Sequence, residues 1–429
     1  MEGEWNAAKV CKDLWHMRDE NGRSAATGRG RERIPGNPPE GRSTTGRRDA
    51  GDRPPTLGPV FAPLHIDDEL RDALARLLDG LPPRQAAAAV DRLISGYRDS
   101  GAAGAPVLRD RGDVAAYAAY RMPATFEAVR AALDALADRA PELDPATHLD
   151  VGGGTGAAVW AAAAVWGDGA QPTGEARVTT VLDRSEPALA LGRELAAGSG
   201  SAALRGARWR QERIGAAPGL EAADLVTVSY VLNELPEDAR GALVDAAAAA
   251  ARRAVVVVEP GTPDGYRRII EARGRLIGAG LRVLAPCPHS GACPIEPGSD
   301  WCHFAARVSR SSLHRRVKGG SLAYEDEKFS YVAAVRPGAG GGDPGGGDPD
   351  GTPTAARIVR RPQIRKGQVL LDLCTGPDAE RGGLRRETVT KRRGPAYRAA
   401  RDAHWGDAWE DGQGGGGQED RQNGGGDGD

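Results

Sequence analysis

Long hydrophobic runs are missing from this 429-residue sequence, in which no stretch of about 18 consecutive apolar residues occurs. The sequence therefore predicts no transmembrane helix, and its first residues lack the apolar stretch of a secretory signal peptide. A large net charge is missing as well, because 57 basic residues oppose 59 acidic ones. That balance excludes a uniformly basic nucleic-acid binder and leaves room for a local basic patch.

Aromatic residues and cysteines are scarce. Phe, Trp and Tyr make up 5% of the chain, so the core must be built mainly from Ala, Val and Leu. Five cysteines in this length do not suggest a disulfide scaffold. Their odd number and clustering instead indicate metal binding or reactivity in a reducing compartment, and we expect a cytoplasmic protein.

Shifts in composition divide the chain into six segments. Three of them are rich in Gly, Pro or charged residues and show no sustained period, which is typical of disordered or linker sequence. We predict a disordered leader at 1–58, a helical subdomain at 59–140, an α/β domain at 141–336 with a Cys-rich loop at 287–304, a Gly/Pro linker at 337–356, a basic module at 357–409 and a disordered acidic tail at 410–429.

Three segments predict the helices of the helical subdomain. In the first, Leu70, Leu74 and Leu77 recur at spacings of three and four, so they share one apolar face. The second segment is QAAAAVDRLISGY. The third is YAAYRMPATFEAVRAALDALADRA, with Pro123 near its first turn, where a proline is tolerated.

The next segment alternates short apolar runs with helical stretches, which predicts a parallel sheet covered by helices on both faces. The runs THLDVGGGTG, ARVTTVLDRS, ADLVTVSYVLNEL and RRAVVVVEPG predict four strands. The stretch SLAYEDEKFSYVAAVR is predicted to close the unit as an antiparallel pair.

A glycine-rich turn directly after the first strand predicts a nucleotide-like ligand. Gly152, Gly154 and Gly156 permit positive φ and let the backbone approach a ligand, which the amides of the next helix then face. Their spacing matches the GxGxG turn of S-adenosylmethionine methyltransferases, and a dinucleotide or a plain strand–helix turn are the alternatives. Asp183 could accept hydrogen bonds from ribose hydroxyls, and Asp150 could lie near the methionine amino group.

These elements together predict an α/β protein with a Rossmann-like class I methyltransferase fold, an N-terminal helical subdomain and a small basic C-terminal module. Asn233 and Glu234 follow the third predicted strand on the usual ligand side of such a sheet, and we assign Asn233 to cofactor binding. No catalytic residue is assigned, because the sequence contains neither an Asn-Pro-Pro-Tyr-type run nor a Pro-Cys nucleophile there. Glu234 is either a base or a solvated carboxylate at a helix start.

A cysteine cluster predicts a metal centre. Cys287, Cys293 and Cys302 lie within 16 residues of one another in a loop rich in Gly, Pro and Ser, and they leave one ligand position open. The candidates for that position are Cys374, His289 and His303. Four thiolates suit an iron–sulfur cluster, three thiolates and one imidazole suit structural zinc, and unligated thiols are the third possibility.

The basic module predicts a nucleic-acid surface. From Arg357 to Arg401 there are 13 basic and 4 acidic residues, with Tyr397 and Trp405 interleaved. Cations pair with phosphates and aromatic rings stack on exposed bases, so RNA is the predicted partner; the alternative is a solvated face that balances the acidic tail. The candidate RNA-binding residues are Arg385, Arg386, Lys391, Arg392 and Arg393.

Several stretches together resemble one protein family. They are YAAYRMPATFEAV, LDVGGGTG, YVLNELP, CPHSGACP with WCHF, YEDEKFSYV, and RRETVTKRRG with RAARDAHWGD. The chain is similar to the methyltransferase-like proteins of the mitochondrial ribosomal small subunit and to their bacterial relatives, over about residues 60–336 and 357–409.

The resemblance implies a methyltransferase-type fold that binds small-subunit ribosomal RNA, helps assemble that subunit and, in a bacterium, works in the cytoplasm. It also implies S-adenosylmethionine at the glycine turn and a four-iron [4Fe-4S] cluster. The implied ligands are Cys287, Cys293, Cys302 and Cys374. Two other functions stay open: an active ribosomal RNA methyltransferase, and a zinc-stabilised methyltransferase of small molecules. The sequence leaves the oligomeric state undetermined.

Overall fold

A computed structural model describes most of the chain between residues 65 and 410. The described ranges are 65–79, 82–98, 111–169, 174–215, 219–313, 315, 322–338, 356–376 and 383–410. The predicted leader with Cys11, nearly all of the predicted linker and the tail beyond residue 410 lie outside these ranges.

Three helices precede the sheet, and they are α1 (Ile66–Leu77), α2 (Pro83–Arg98) and α3 (Arg111–Ala137). The predicted apolar face of α1 is buried at Leu70 and Leu74. The predicted position of Pro123 is wrong, because α3 begins at Arg111 and the proline lies inside the helix. Interior proline removes a helix hydrogen bond, and we attribute its tolerance to the burial of Phe126, Val129 and many alanines along α3.

The central sheet has eight strands, and they are β1 (Thr147–Val151), β2 (Val178–Asp183), β3 (Arg208–Gln211), β4 (Ala223–Ser229), β5 (Ala251–Pro260), β6 (Arg282–Ala285), β7 (Phe304–Ser309) and β8 (Tyr324–Val335). Their order is β3-β2-β1-β4-β5-β8-β6, with β7 also paired to β8. The first five strands are parallel, and β8 runs antiparallel to β5, β6 and β7. Chain order reverses at β1, which creates the ligand-binding crevice of doubly wound sheets and confirms the Rossmann-like class I methyltransferase fold.

One prediction for this sheet is wrong in detail, and one strand was missed. Within SLAYEDEKFSYVAAVR, residues Tyr324–Val335 form the single long strand β8, whose partners are β5, β6 and β7, and not a pair of strands. The short strand β3 was not predicted, because its four residues, RWRQ, lack an apolar run. This strand pairs in parallel with β2, and its Trp209 packs against the main core.

Helices cover both faces of the sheet, and they are α4 (Ala157–Trp166), α5 (Glu186–Ala197), α6 (Ala202–Arg205), α7 (Glu237–Ala250) and α8 (Pro263–Gly278). One buried cluster joins α1 and α3 to α4 and α5. A second cluster joins α7 and α8 to the other face. Helices α1 and α3 therefore share a core with the sheet, whereas α2 packs on α3 in a separate buried cluster. None of the described helices is long and apolar enough to cross a membrane.

The basic module forms a second sheet with one helix. Its elements are β9 (Ala356–Ile358), β10 (Gln363–Arg365), β11 (Gln368–Thr375), β12 (Gly383–Thr390), α9 (Pro395–Asp402) and β13 (Ala408–Trp409). The central strand β11 pairs antiparallel with β9, β10 and β12. Alternate residues Val369, Leu371 and Leu373 pack with Ala396 and Ala400 of α9. The opposite face of β11 carries Cys374.

Candidate functional site

The turn between β1 and α4 requires glycine. Gly152, Gly154 and Gly156 have φ of 70°, 53° and 85°, in the left-handed region that side chains disfavour. A Cβ on Gly152 would also lie 2.2 Å from Cγ2 of Val231. Both the backbone conformation and the close approach therefore explain the predicted glycine pattern.

A cavity of about 480 Å³ opens beside this turn. This volume is in the range of small-molecule sites. Its walls come from the glycine turn, the end of β2, helix α3 and the segment after β4. The residues that line it include Gly152, Gly154, Asp183, Arg121, Tyr230 and Glu234. Three residues predicted from the sequence, Asp150, Gly156 and Asn233, are not among those that line it.

Asp183 is held in place by the backbone. Its Oδ2 accepts from the N–H of Gly154 at 2.9 Å, and its Oδ1 accepts from the N–H of Ser185 at 2.7 Å. Burial raises the pKa of the Asp183 carboxyl, and these backbone hydrogen bonds oppose the shift. Each oxygen keeps a further lone pair, so the carboxylate can accept from two hydroxyls of a ligand.

Asp150 lies beneath the turn. Its Oδ1 accepts from Oγ1 of Thr227 at 2.7 Å, and Oγ1 also meets Nε2 of His148 at 2.8 Å. A Cβ on Gly153 would lie 2.3 Å from Oδ2 of Asp150, and that oxygen has no hydrogen-bond partner among the described residues. Burial raises the pKa of Asp150 to about 7 and lowers that of His148 to about 3. This group supports the turn from inside the sheet.

The segment after β4 places a strained residue at the cavity. Tyr230 has φ of 59°, an uncommon value for a residue with a side chain, and such strain concentrates at functional sites. Sequence reasoning missed Tyr230; its position directly after β4 was the available signal. Asn233 is buried, and neither its Oδ1 nor its Nδ2 has a partner among the described residues. Glu234 lines the cavity.

A buried polar network fixes the wall around Tyr230. The Tyr230 hydroxyl donates to Oε1 of Glu327 at 3.1 Å, and Nη2 of Arg121 donates to the same oxygen at 2.7 Å. The Arg121 guanidinium also lies 5.0 Å from the centre of the Tyr230 ring. Burial and the neighbouring Glu327 raise the pKa of the Tyr230 hydroxyl well above its usual value. The network ties α3 to β4 and β8.

All four cysteines of the predicted metal centre line a second cavity, of about 30 Å³. Cys287, Cys293 and Cys302 come from the segment between β6 and β7, and Cys374 comes from β11 of the second sheet. The four are free thiols. Within the described part of the chain, no group of three or more Cys, His, Asp or Glu side chains is placed to hold one metal ion.

Cys374 is buried, and Cys287, Cys293 and Cys302 are partly buried. Burial raises the pKa of Cys302 well above its ordinary value and that of Cys374 to about 12, and neighbouring cysteines add to both shifts. Burial raises the pKa of Cys287, and the charge of Arg273 opposes this shift. The Tyr266 hydroxyl lies 3.3 Å from Sγ of Cys293 and donates to the Ile295 carbonyl at 2.8 Å.

The two histidine candidates differ in position. Nε2 of His289 lies 3.9 Å from Sγ of Cys374. His303 instead stacks on Trp301, with ring centres 5.3 Å apart, and meets the edge of Trp405 at 5.0 Å. Neither histidine is among the residues that line the cysteine cavity.

The second sheet docks beside this cavity. Nη2 of Arg360 donates to Oδ2 of Asp300 at 2.6 Å and to the Trp301 carbonyl at 3.1 Å. Trp405 packs against Phe304, with ring centres 6.0 Å apart. These contacts bring Cys374 to the other three cysteines across a long separation in sequence.

The five candidate RNA-binding residues fall into two groups. Arg386 donates to both carboxylate oxygens of Asp372, at 2.6 and 2.9 Å, and Arg385 and Arg393 both pair with Glu387. The other two, Lys391 and Arg392, are exposed and have no ion pair among the described residues. They are therefore the cations of this set that remain available to phosphate.

Comparisons with known proteins agree on one family. The profile of the family described as "Mitochondrial small ribosomal subunit Rsm22" matches residues 111–410. The human ribosome assembly protein METTL17, mitochondrial, is 29% identical over 310 residues, which cover 68% of this chain and 61% of the human protein. The Saccharomyces cerevisiae ribosome assembly protein RSM22, mitochondrial, is 25% identical over 183 residues, covering 30% of this chain and 28% of the yeast protein.

Solved structures with a similar fold are more distant. The Synechocystis magnesium protoporphyrin IX methyltransferase with bound S-adenosylmethionine is 17% identical, with a TM-score of 0.32 over 65% of this chain and all of that protein. The glycopeptide N-methyltransferase MtfA is 13% identical, with a TM-score of 0.30 over 49% of this chain and 95% of that protein. Such low scores carry no argument about activity. The family profile covers more than half of the sequence, and the chain belongs to the Rsm22 family.

Proposed function

We propose that this protein binds S-adenosylmethionine and a [4Fe-4S] cluster, binds small-subunit ribosomal RNA, and supports assembly of the small ribosomal subunit. The human and yeast relatives are named as ribosome assembly proteins. This chain spans 61% of the human protein's length, so its role and partners are proposals. We propose that the protein acts in the cytoplasm of a bacterial cell.

One observation carries the proposal: three cysteines from the segment between β6 and β7 and one cysteine from the second sheet line one cavity. A centre bound there would fasten the basic module to the methyltransferase-like domain and create a continuous surface for RNA. The chemistry it would supply is a set of iron–thiolate bonds between the two sheets, together with the capacity to gain or lose an electron.

The donor set supports a cluster over a single zinc ion. Among the described residues that line the cavity there is no carboxylate and no imidazole, so the available ligands are the four thiols. A zinc ion would need its ligands around one point. No three candidate ligands among the described residues share such a point. In a cluster each thiolate binds a different iron, which suits ligands that stand around a shared space.

The larger cavity supports the cofactor proposal. Asp183 and the glycine turn present a carboxylate and a close backbone to the same space. No residue of this chain is proposed as catalytic. Active methylation of ribosomal RNA is the second candidate, and it is supported by Tyr230 and Glu234, which line the cavity after β4. A count of methyl groups on ribosomal RNA from a deletion strain separates the two functions.

The metal content tests the main proposal. Protein purified without oxygen should contain about four iron atoms and four sulfides per chain, with a broad visible absorbance. Replacement of Cys374 by Ser should remove most of that iron, whereas Cys11→Ser should leave it unchanged. Stoichiometric zinc in place of iron, with RNA affinity insensitive to salt, would support a zinc-stabilised methyltransferase of small molecules instead.

A further inference from the structure

Two buried arginines share the small cavity with the four cysteines. Arg273 comes from α8 and is 5% exposed, and Arg357 comes from β9 and is 6% exposed. In the second sheet, Arg357 is the direct cross-strand partner of Cys374. Such partners project from the same face of a sheet. The methyltransferase-like domain and the second sheet therefore each contribute both thiol and guanidinium to one space.

The hydrogen bonds of these arginines are incomplete. Nη2 of Arg273 donates to the carbonyls of His289 and Gly291, each at 2.8 Å, and Arg273 also contacts the Cys287 thiol. Nη1 of Arg357 donates to the Gly406 carbonyl. Nε of Arg273, and Nε and Nη2 of Arg357, are buried without an acceptor among the described residues. Unsatisfied buried donors are costly, so an acceptor at this place would be strongly favoured.

The charges of the cavity point to an anionic acceptor. The two guanidinium groups are always protonated, and no carboxylate is among the described residues that line the cavity. A four-iron cluster bound by four thiolates carries net negative charge, and its sulfurs accept hydrogen bonds. A cluster would therefore satisfy the donors and neutralise the two buried cations at once.

We propose that Arg273 and Arg357 are positioning residues that donate hydrogen bonds to sulfurs of the cluster and raise its reduction potential. This proposal rests on the cluster of the proposed function. Reduction adds negative charge to the cluster, and nearby cations stabilise that added charge. Because Arg273 comes from α8 and Arg357 comes from the second sheet, separation of the second sheet from α8 would remove half of this stabilisation. The potential of the cluster thereby depends on whether the basic module is docked.

The test uses the full-length protein, purified and handled without oxygen. Arg273→Met and Arg357→Met remove the charge and the donors but keep an apolar chain of similar length, and Arg273→Lys and Arg357→Lys keep the charge. Arg267→Met on α8 and Arg361→Met beside β9 are matched controls, since both arginines are about half or more exposed and pair with surface acids. The measurements are iron and sulfide content, the visible spectrum, and a redox titration followed by electron paramagnetic resonance.

Each buried Met variant should lower the ratio of reduced to oxidised cluster about tenfold at a fixed ambient potential, equal to 59 mV for a one-electron couple. The Lys variants should recover part of this shift, and the control variants should match the wild type. If a Met variant loses its iron, the proposal requires that the Lys variant at the same position retain its iron. Equal loss of iron in both variants overturns the proposal.

Met variants that keep their iron and have the same reduction potential as the wild type overturn the proposal as well, while the proposed function stands. Wild-type protein without iron overturns both.

Discussion

The cofactor cavity and the cysteine cavity are built in opposite ways. The cofactor cavity depends on backbone: positive φ at Gly152, an approach too close for a Cβ, and N–H groups that hold Asp183. The cysteine cavity depends on side chains that docking of the second sheet brings together, and burial raises the pKa of Cys287, Cys302 and Cys374 there. A local backbone site is formed before its ligand arrives. In a site assembled from side chains, some buried hydrogen-bond donors lack an acceptor until the ligand supplies one.

The largest effect that would test this difference concerns the docking of the second sheet. Trp405→Ala should destabilise the docked state by about 3 kcal/mol, near the lower end of the range for tryptophan truncation, because Trp405 packs on His303 and Phe304. Hydrogen exchange at β11 and β12 should accelerate, and iron should dissociate more readily. S-adenosylmethionine affinity should stay unchanged.

A matched control for this change is Trp166→Ala at the end of α4, where the ring centre lies 5.9 Å from the guanidinium of Arg177, a residue of the same domain. It should reduce overall stability without selective exposure of β11. Weaker cofactor binding in Trp405→Ala would mean that the two cavities are coupled, and it would contradict the conclusion that the cofactor cavity is a local backbone site.

The next effect tests the cofactor cavity. Gly152→Ala should weaken S-adenosylmethionine binding by roughly tenfold to hundredfold, since a side chain at positive φ costs about 1–3 kcal/mol and its Cβ would meet Val231. Isothermal titration calorimetry measures this affinity. The iron content should remain that of the wild type.

Gly278→Ala is the control, because no heavy atom of the described residues beyond its own helical turn lies within 4 Å of the Cβ that it would add. The double variant Gly152→Ala/Val231→Ala should recover the part of the affinity that the clash removes. Full affinity in Gly152→Ala alone would show that the turn does not bind this ligand.

The smallest effect concerns RNA. Replacement of both Lys391 and Arg392 by Ala should weaken binding to purified small-subunit ribosomal RNA and reduce the slope of log affinity against log salt by about 1 for each phosphate that is no longer neutralised. Arg386→Ala should have less effect, because Asp372 already pairs with that guanidinium. An equal decrease in RNA affinity in the two variants would contradict the separation of Lys391 and Arg392 from the ion-paired Arg386.

Much of the fold could be predicted because its signals are local. Glycine spacing, strand-length apolar runs and the helical spacing of Leu70 and Leu74 each reflect contacts between near neighbours. The prediction failed at Pro123, where burial along α3 outweighs the local preference, and at β3, where pairing with β2 creates a strand without an apolar run. Both failures arise from contacts with residues distant in sequence.

The candidate sites divide in the same manner. Asp183 could be placed from its distance to the glycine turn, because strand and turn alone position it. Three other features could not be predicted, since each depends on a partner from another element. They are the strain at Tyr230, the two arginines at the cysteine cavity, and the ion pairs of Arg385 and Arg386.

The sequence by itself determined the glycine turn, the alternation of strands and helices, and the presence of four cysteines with a basic segment near one of them. Only the tertiary structure decided that Cys374 meets the other three, which of the predicted RNA-binding cations pair with carboxylates, and which arginines lie beside the thiols. The physical reason is that backbone conformation follows from neighbours along the chain, whereas burial and charge pairing depend on surfaces that meet only when the two sheets dock.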